Sequence, residues 1–345
     1  MFNYFVRRFL LIIPTFIACT ILVFTILQIT PGGPFEMKMM ELQQRAAQGG
    51  EGGGGSSGSG KGGQMEIPEE AKAELKRYFG LDKPVYMRYL TWLKNIVTGD
   101  FGTSYVYSEP VLNVITSKFP VSISFGLTGF ILGYAISVPL GILKALKHNS
   151  GFDVGSSALI FVLYSIPGWT IGAILLPLLG GKLGWIPLGD LHSQGWEDFG
   201  TWKRILDQAH HMLLPLFCYV INGFAISTIL MKNSLLENLG QDYIRTAFAK
   251  GLPERRVISV HAFRNSLIPI VTGLGSAFGL ILAGSFLIEK TFNLDGIGLL
   301  GIKTLQARDY SVALGILVIS LVIQLVGNIL SDLIYASVDP RIRFS

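Results

Sequence analysis

Six runs of the chain contain no Asp, Glu, Lys or Arg: 9–35, 119–143, 154–181, 208–231, 265–288 and 311–331, each 21 to 28 residues long. An α-helix rises ~1.5 Å per residue, so about 20 residues cross a hydrocarbon core ~30 Å thick. Six runs of this length predict six membrane-spanning helices. Half of the 345 residues are hydrophobic and only 15% are charged, too apolar a balance for a soluble domain of this size. The expected class is therefore an all-α integral membrane protein with the lipid bilayer as its solvent. Cys19 and Cys218 each fall inside an apolar run, which suits small buried hydrophobes rather than a disulfide or a metal site. Phe16-Ile17-Ala18-Cys19 is similar to a lipoprotein cleavage box, but the apolar run continues to Ile29, so the first helix is expected to stay uncleaved.

The short connections carry an orientation signal. With the N-terminus inside, segments 1–8, 144–153, 232–264 and 337–345 hold 12 Lys plus Arg, against 6 in the outer segments 182–207 and 289–310. Positive charge accumulates on the cytoplasmic side, so both termini are predicted in the cytoplasm. The net charge of +5 follows from this bias. No basic patch suggests a nucleic-acid partner.

Between the first and second runs lies an outer segment, 31–118, whose middle at 49–63 is a Gly-rich flexible linker. Gly55 to Gly62 is one residue short of a phosphate-binding loop, but no strand precedes it and the final Ser/Thr is absent. A helix is predicted over 67–79, with Glu69 and Glu70 in its first turn and Lys76 and Arg77 near its end. A second, over 86–97, sets Tyr89, Leu93 and Ile96 opposite Arg88 and Lys94, as suits a helix lying on the membrane or capping the bundle. Pro14, Pro139, Pro167, Pro177, Pro215 and Pro269 fall within or beside the runs, and Gly129/Gly133 and Gly275/Gly279 have the spacing of close helix packing. No run carries a central charge of the kind that marks ion-coupled pathways, which disfavours the alternative of an ion-coupled secondary transporter of small solutes. No His pair or serine motif supports an intramembrane hydrolase; Ser276 reads as a packing residue, and His210 and His211 as interfacial.

One polar segment is too organised for a simple connection. DYIRTAFAKGLPERRVISVHAFRN, 242–265, carries seven charges between two apolar runs. Leu235, Leu239, Tyr243 and Ala247 recur every four residues and predict one helix over 234–250. Gly251 is placed to close it in the left-handed conformation and Pro253 to open a second helix over 253–264. The elbow would leave Ala247, Ala249, Leu252 and Val257 exposed unless something covers them, which points to a docking element for a soluble partner.

RTAFAKGLPERR at 245–256, followed by HAFRNSLIP at 261–269, resembles the EAA-type coupling loop of ABC importer permeases, in the form used by the peptide and nickel branch. Arg245, Thr246 and Ala247 stand where the general family writes Glu-Ala-Ala, and Arg264 stands where it has a later Pro. The resemblance extends along nearly the whole chain, through LDKP at 81–84, GDFGTS at 99–104, IEKTF at 288–292, DGIG at 295–298, Asp309-Tyr310 and Asp339-Pro340-Arg341. It is strongest toward the branch that imports microcin C and oligopeptides.

The resemblance implies the ABC type I importer permease fold, divided into an N-terminal helix 1–30, a periplasmic segment 31–118, a permease core 119–336 with its coupling loop 232–264, and a cytoplasmic tail 337–345. It implies a subunit of the bacterial inner membrane that is not itself an enzyme and binds no cofactor. Its partners would be a second, different permease, a cytoplasmic ABC ATPase holding ATP and Mg, and a periplasmic peptide-binding protein. Arg245, Thr246, Ala247, Lys250, Gly251, Glu254 and Arg256 are the implied coupling residues. Glu289 and Asp309 stand near outer span ends, where they could meet the binding protein or a peptide amine, or serve as loop caps.

Overall fold

The computed structural model of the protein describes residues 2–30, 32–48, 69–78, 80–272 and 284–338. The linker 49–63, the pair Gly275/Gly279, Ser276, much of the fifth apolar run and the terminal Asp339-Pro340-Arg341 lie outside these residues. The described residues are helical, joined by turns and one antiparallel bridge, Thr103 to Pro110. By packing the chain divides into two units, one of residues 1–12, 116–300 and 319–345, the other of 13–115 and 301–318.

Three helical stretches are long and apolar enough to span: Leu10–Ile29 within α1 (Phe2–Ile29), Val111–Leu146, and Tyr310–Leu333. Val111–Leu146 comprises α5 (Val111–Thr116) and α6 (Phe119–Leu146). The third run, read as one span with prolines that permit bending, is divided into two helices. It forms α7 (Gly151–Ser165) and α8 (Gly168–Leu175), the latter continued by a π-helical turn Leu176–Lys182, at 85° to one another. Pro167 has no N–H to give and pushes Ile166 into extended backbone, φ −108° and ψ 122°, so the helix must end there. The fourth run belongs to α9 (Thr201–Leu239), bent by 50° between Ile221 and Gly223.

In the first unit α6 packs along α9 through small residues. A Cβ on Gly141 would lie 2.6 Å from Met231 Cβ and 2.8 Å from the Thr228 carbonyl. Gly129 approaches Tyr219 Cβ at 3.4 Å, whereas Gly133 faces open space. On α8, a Cβ on Gly168 would fall 2.2 Å from the carbonyl oxygen of the buried Cys218.

The second unit holds α1 from Ile13 onward together with α2 (Pro34–Gln48), α3 (Glu69–Tyr78), α4 (Val85–Val97) and α5. The helix over Pro34–Gln48 is not among those the sequence predicts. Phe24, Leu27 and Leu314 form the unit's core with Tyr89 and Trp92. Tyr89 therefore turns inward, as a capping helix requires, and its hydroxyl reaches Thr20 Oγ1 at 3.0 Å. The opposite face of α4 exposes Tyr86, Leu90 and Val97, the stripe a membrane-surface helix needs. Asp309, fully buried, accepts from Ser104 Oγ at 2.5 Å, from Val106 N at 3.2 Å and from Val312 N at 3.3 Å. It caps the last long helix, Tyr310–Val338, which is the loop-cap role weighed for it from the sequence.

Candidate functional site: an elbow on a buried polar base

The elbow begins earlier than its periodicity suggests. α9 ends at Leu239 with Gly240 as its cap; Gln241 is extended, with φ −77° and ψ 151°, and α10 starts afresh at Asp242 and runs to Ala249. The single helix expected over 234–250 is thus two. Ile244, at 1% exposure, is the inward residue of α10, while Tyr243 is 39% exposed, because the break rotates the apolar face by one position.

Gly251 closes α10 at φ +78°. Leu252 N donates to the Ala247 carbonyl at 3.3 Å and Gly251 N to the Phe248 carbonyl at 2.9 Å, which is the Schellman arrangement and satisfies two end carbonyls. Pro253 at φ −64° precedes a turn Glu254–Arg256, a π-helical segment Val257–Ala262 and a helical turn Phe263–Ser266. The chain then enters the fifth run through Ile268–Thr272.

Ala145, Met231, Leu235, Ile244, Ala247, Val257, Ala262 and Ile270 make one buried cluster beneath this elbow, with Leu252 packed against it. Ala247, Leu252 and Val257, expected to lie bare unless a partner covers them, are covered by the chain itself with the ends of α6 and α9, while Ala249 stays exposed. Polar links brace the same base. Ser266 Oγ donates to the Ala262 carbonyl at 2.8 Å and reaches the Ser234 carbonyl at 3.3 Å. Tyr243 OH donates to Asn238 Oδ1 at 2.6 Å and accepts from Asn265 Nδ2 at 3.0 Å.

The outer face of the elbow is what a partner could touch. Arg245, Thr246, Lys250, Gly251, Glu254 and Arg256 are all exposed, as are Ala249, Arg255, Phe248 and Val260. Arg245 reaches Asp242 Oδ1 at 3.5 Å and its side chain is 77% exposed. Thr246 Oγ1 bonds back to the Asp242 carbonyl at 2.9 Å. Of the implied coupling residues Ala247 alone is buried, and its part is packing.

A charged knot, not singled out from the sequence, holds the neighbouring helix ends. Asp153, buried at the start of α7, accepts from Lys232 Nζ of α9 at 2.8 Å on both carboxylate oxygens. Lys144 of α6, 1% exposed, lies 3.1 Å from Asp153 Oδ1 and donates to Ser156 and Ser157 Oγ at 2.7 Å each. His148 Nδ1 lies 3.3 Å from Asp153 Oδ2, and Ser150 caps α7 by accepting from Asp153 N at 3.3 Å. Each of the three ion-pair members flanks an uncharged run: Lys144 follows Leu143, Asp153 precedes Val154 and Lys232 follows Met231. That position was the available signal.

At the other ends of these helices a second set of buried polar groups forms. Glu289, fully buried in the helix Phe286–Thr291, accepts from Leu299 N at 2.7 Å and Ser285 N at 3.1 Å. Ser122 Oγ, 3.4 Å from Glu289, accepts from Ile297 N at 2.8 Å. Gly296 lies so close that a Cβ there would meet the Glu289 carboxyl carbon at 2.5 Å. Glu289 is thus turned into its own loop rather than toward a ligand. His210 Nε2 contacts the Trp185 carbonyl at 2.8 Å, and His211 Nδ1 the Gly189 carbonyl at 3.1 Å, so both anchor the loop after α8.

Long apolar helices, some sharply bent, with the charged ends of α6, α7 and α9 gathered into a buried knot and a braced elbow beside it, define a multi-pass helical membrane protein. The profile of the family described as "Binding-protein-dependent transport system inner membrane component" matches residues 137–344. The chain belongs to that family and is a multi-pass protein of the inner membrane, with the all-α fold of an ABC importer permease. It is 38% identical to the "Peptidoglycan transport system permease protein YejB" of Agrobacterium fabrum, across 99% of this chain and 98% of that one. It is 37% identical to the "Inner membrane ABC transporter permease protein YejB" of Escherichia coli O157:H7, across 99% and 98%. It is 35% identical to the "Oligopeptide transport system permease protein AppB" of Bacillus subtilis, across 99% of each. The expected likeness to peptide-branch permeases therefore holds along the whole chain.

Proposed function

We propose that the chain is one of two unlike permease subunits of an ATP-driven importer that carries peptides, antibiotic conjugates of the microcin C kind included, from periplasm to cytoplasm. Both termini face the cytoplasm, where paired ATPase subunits hold ATP and Mg; this chain does no covalent chemistry. A periplasmic peptide-binding protein delivers the cargo. The names of the relatives support a peptide cargo, and the apolar runs free of central charge support a pathway that tolerates varied side chains.

The observation that carries the reading is the elbow. Its underside is sealed by the cluster around Leu235 and Ile244, and its outer side offers Phe248 and Val260 among the cations Arg245, Lys250 and Arg256. A loop braced in this way transmits a push to α9 rather than absorbing it. In the assembled complex, Phe248→Asp with Arg245→Glu should cut binding-protein-stimulated ATP hydrolysis at least tenfold, about 1.4 kcal/mol of docking energy, with unchanged amounts of this chain in the membrane. Undiminished stimulation would remove the elbow from the coupling role.

A further inference from the structure

Within the unit formed by 13–115 and 301–318 lies a cavity of about 540 Å³, within the ~300–1,000 Å³ typical of small-molecule sites. Its floor is apolar and aromatic: Phe24 and Leu27 of α1, Trp92 of α4, and Leu314. Its rim is cationic, with Arg77, Lys83 and Arg88 against the single carboxylate of Glu36.

Three observations indicate an anion with an apolar tail. Arg88 is partly buried, yet its described hydrogen-bond partner is the neutral Gln28 carboxamide, and burial draws its pKa below the ordinary guanidinium value. A cation desolvated in this way gains from an arriving anion. The Tyr310 hydroxyl is buried in the wall of the cavity with no hydrogen-bond partner among the described residues, and a buried hydroxyl without a partner costs stability until one is supplied. Finally, α4 turns Tyr86, Leu90 and Val97 outward, so the helix that lines the cavity carries an apolar stripe of its own. Aromatic residues at the ends of spanning helices mark the headgroup level, and the lining comes from the last turns of α1 and the first turns of the helix beginning at Tyr310.

We propose that this cavity binds an anionic phospholipid of the adjacent leaflet, its phosphate on Arg77, Lys83 and Arg88 and the first part of its acyl chains on Phe24, Trp92 and Leu314. In the orientation proposed above this is the periplasmic leaflet; the site itself rests on the geometry of the cavity and not on what the importer carries. The purified full-length chain in detergent is titrated with short-chain phosphatidylglycerol, phosphatidylcholine, phosphatidylethanolamine and free glycerol phosphate, and bound molecules are counted by native mass spectrometry. Phosphatidylglycerol should be retained above the other two lipids. Arg77→Gln with Lys83→Gln, both exposed positions that leave the core untouched, should weaken it roughly thirtyfold, about 1 kcal/mol per cation. Arg77→Lys with Lys83→Arg should restore it. Equal retention of all three lipids, an unchanged affinity in the double Gln variant, or displacement by equimolar free glycerol phosphate would each overturn the proposal.

Discussion

Asp153 is the residue on which the buried Lys144 and the partly buried Lys232 both depend. Lys144 is 1% exposed and cannot find water if the carboxylate is removed. Breaking a buried pair by deleting one partner leaves an uncompensated charge and costs about 3–5 kcal/mol. Asp153→Ala should therefore lower the thermal stability of the detergent-solubilised chain by that order, whereas substituting the exposed neighbour His148 by Gln should cost far less. Thermal unfolding followed by loss of the monodisperse peak measures both. Glu289 gives a second case, because its acceptors are filled by backbone N–H groups and Gly296 lies against it. Gly296→Ala should destabilise by about 1–3 kcal/mol through overpacking. Gly301→Ala, where a Cβ meets nothing within 4 Å, should be neutral or stabilising; the same melts decide. The loop-cap role of Glu289 was among the readings its sequence position allowed, whereas the Asp153 knot was not legible. The charges at 144, 153 and 232 stood at the edges of apolar runs and served as topology markers, and a sequence shows that a charge ends a span without showing which other span it meets.

At the scale of elements the hinge was legible and the helix boundaries were not. Gly251 and Pro253 carry conformational restrictions that act locally, so the left-handed glycine and the fresh helical turn follow from residue type alone. The break at Gly240–Gln241 was hidden because Leu235, Leu239, Tyr243 and Ala247 keep an unbroken period of four across it. Tertiary packing of Ile244 against the α6 and α9 ends overrides that pattern. The helix α2 went unread although its signal was present: Glu36 in the first turn, and Phe35, Met39 and Leu42 at helical spacing, all half-buried. The two glycines of the elbow should part company under substitution. Gly251→Ala must hold φ +78° and should cost about 1–2 kcal/mol locally, seen as faster exchange of the amide of Leu252, which donates to the Ala247 carbonyl. Gly240→Ala keeps a right-handed φ of −78° and should leave exchange at that amide unchanged.

For the molecule as a whole, the six apolar runs predict six spanning helices with prolines that permit bending, and the described residues bend sharply at two of the runs. The 85° turn falls at Pro167 and the 50° bend between Ile221 and Gly223; membrane helices tolerate such breaks where neighbouring helices or polar groups satisfy the freed backbone. The charged ends of α6, α7 and α9 meet in one knot. The opposite ends of α6 and α9 lie with the loops around Glu289 and His211. Fold class and family were readable because they depend on length, polarity and a long ordered set of short motifs. Which polar groups are buried was not, since burial depends on partners far apart in the sequence.

The bend in α9 has a mechanical corollary. Its lower arm, Gly223 to Leu239, ends directly above the elbow, and 17 residues at ~1.5 Å each give a lever of about 25 Å. One degree of flexing at the bend then sweeps the elbow through roughly 0.4 Å. Lys232 sits partway along that arm and is moored to Asp153, and Met231 beside it is packed against Gly141, so the arm is held to α6 and α7 by an ion pair and by close packing within one turn.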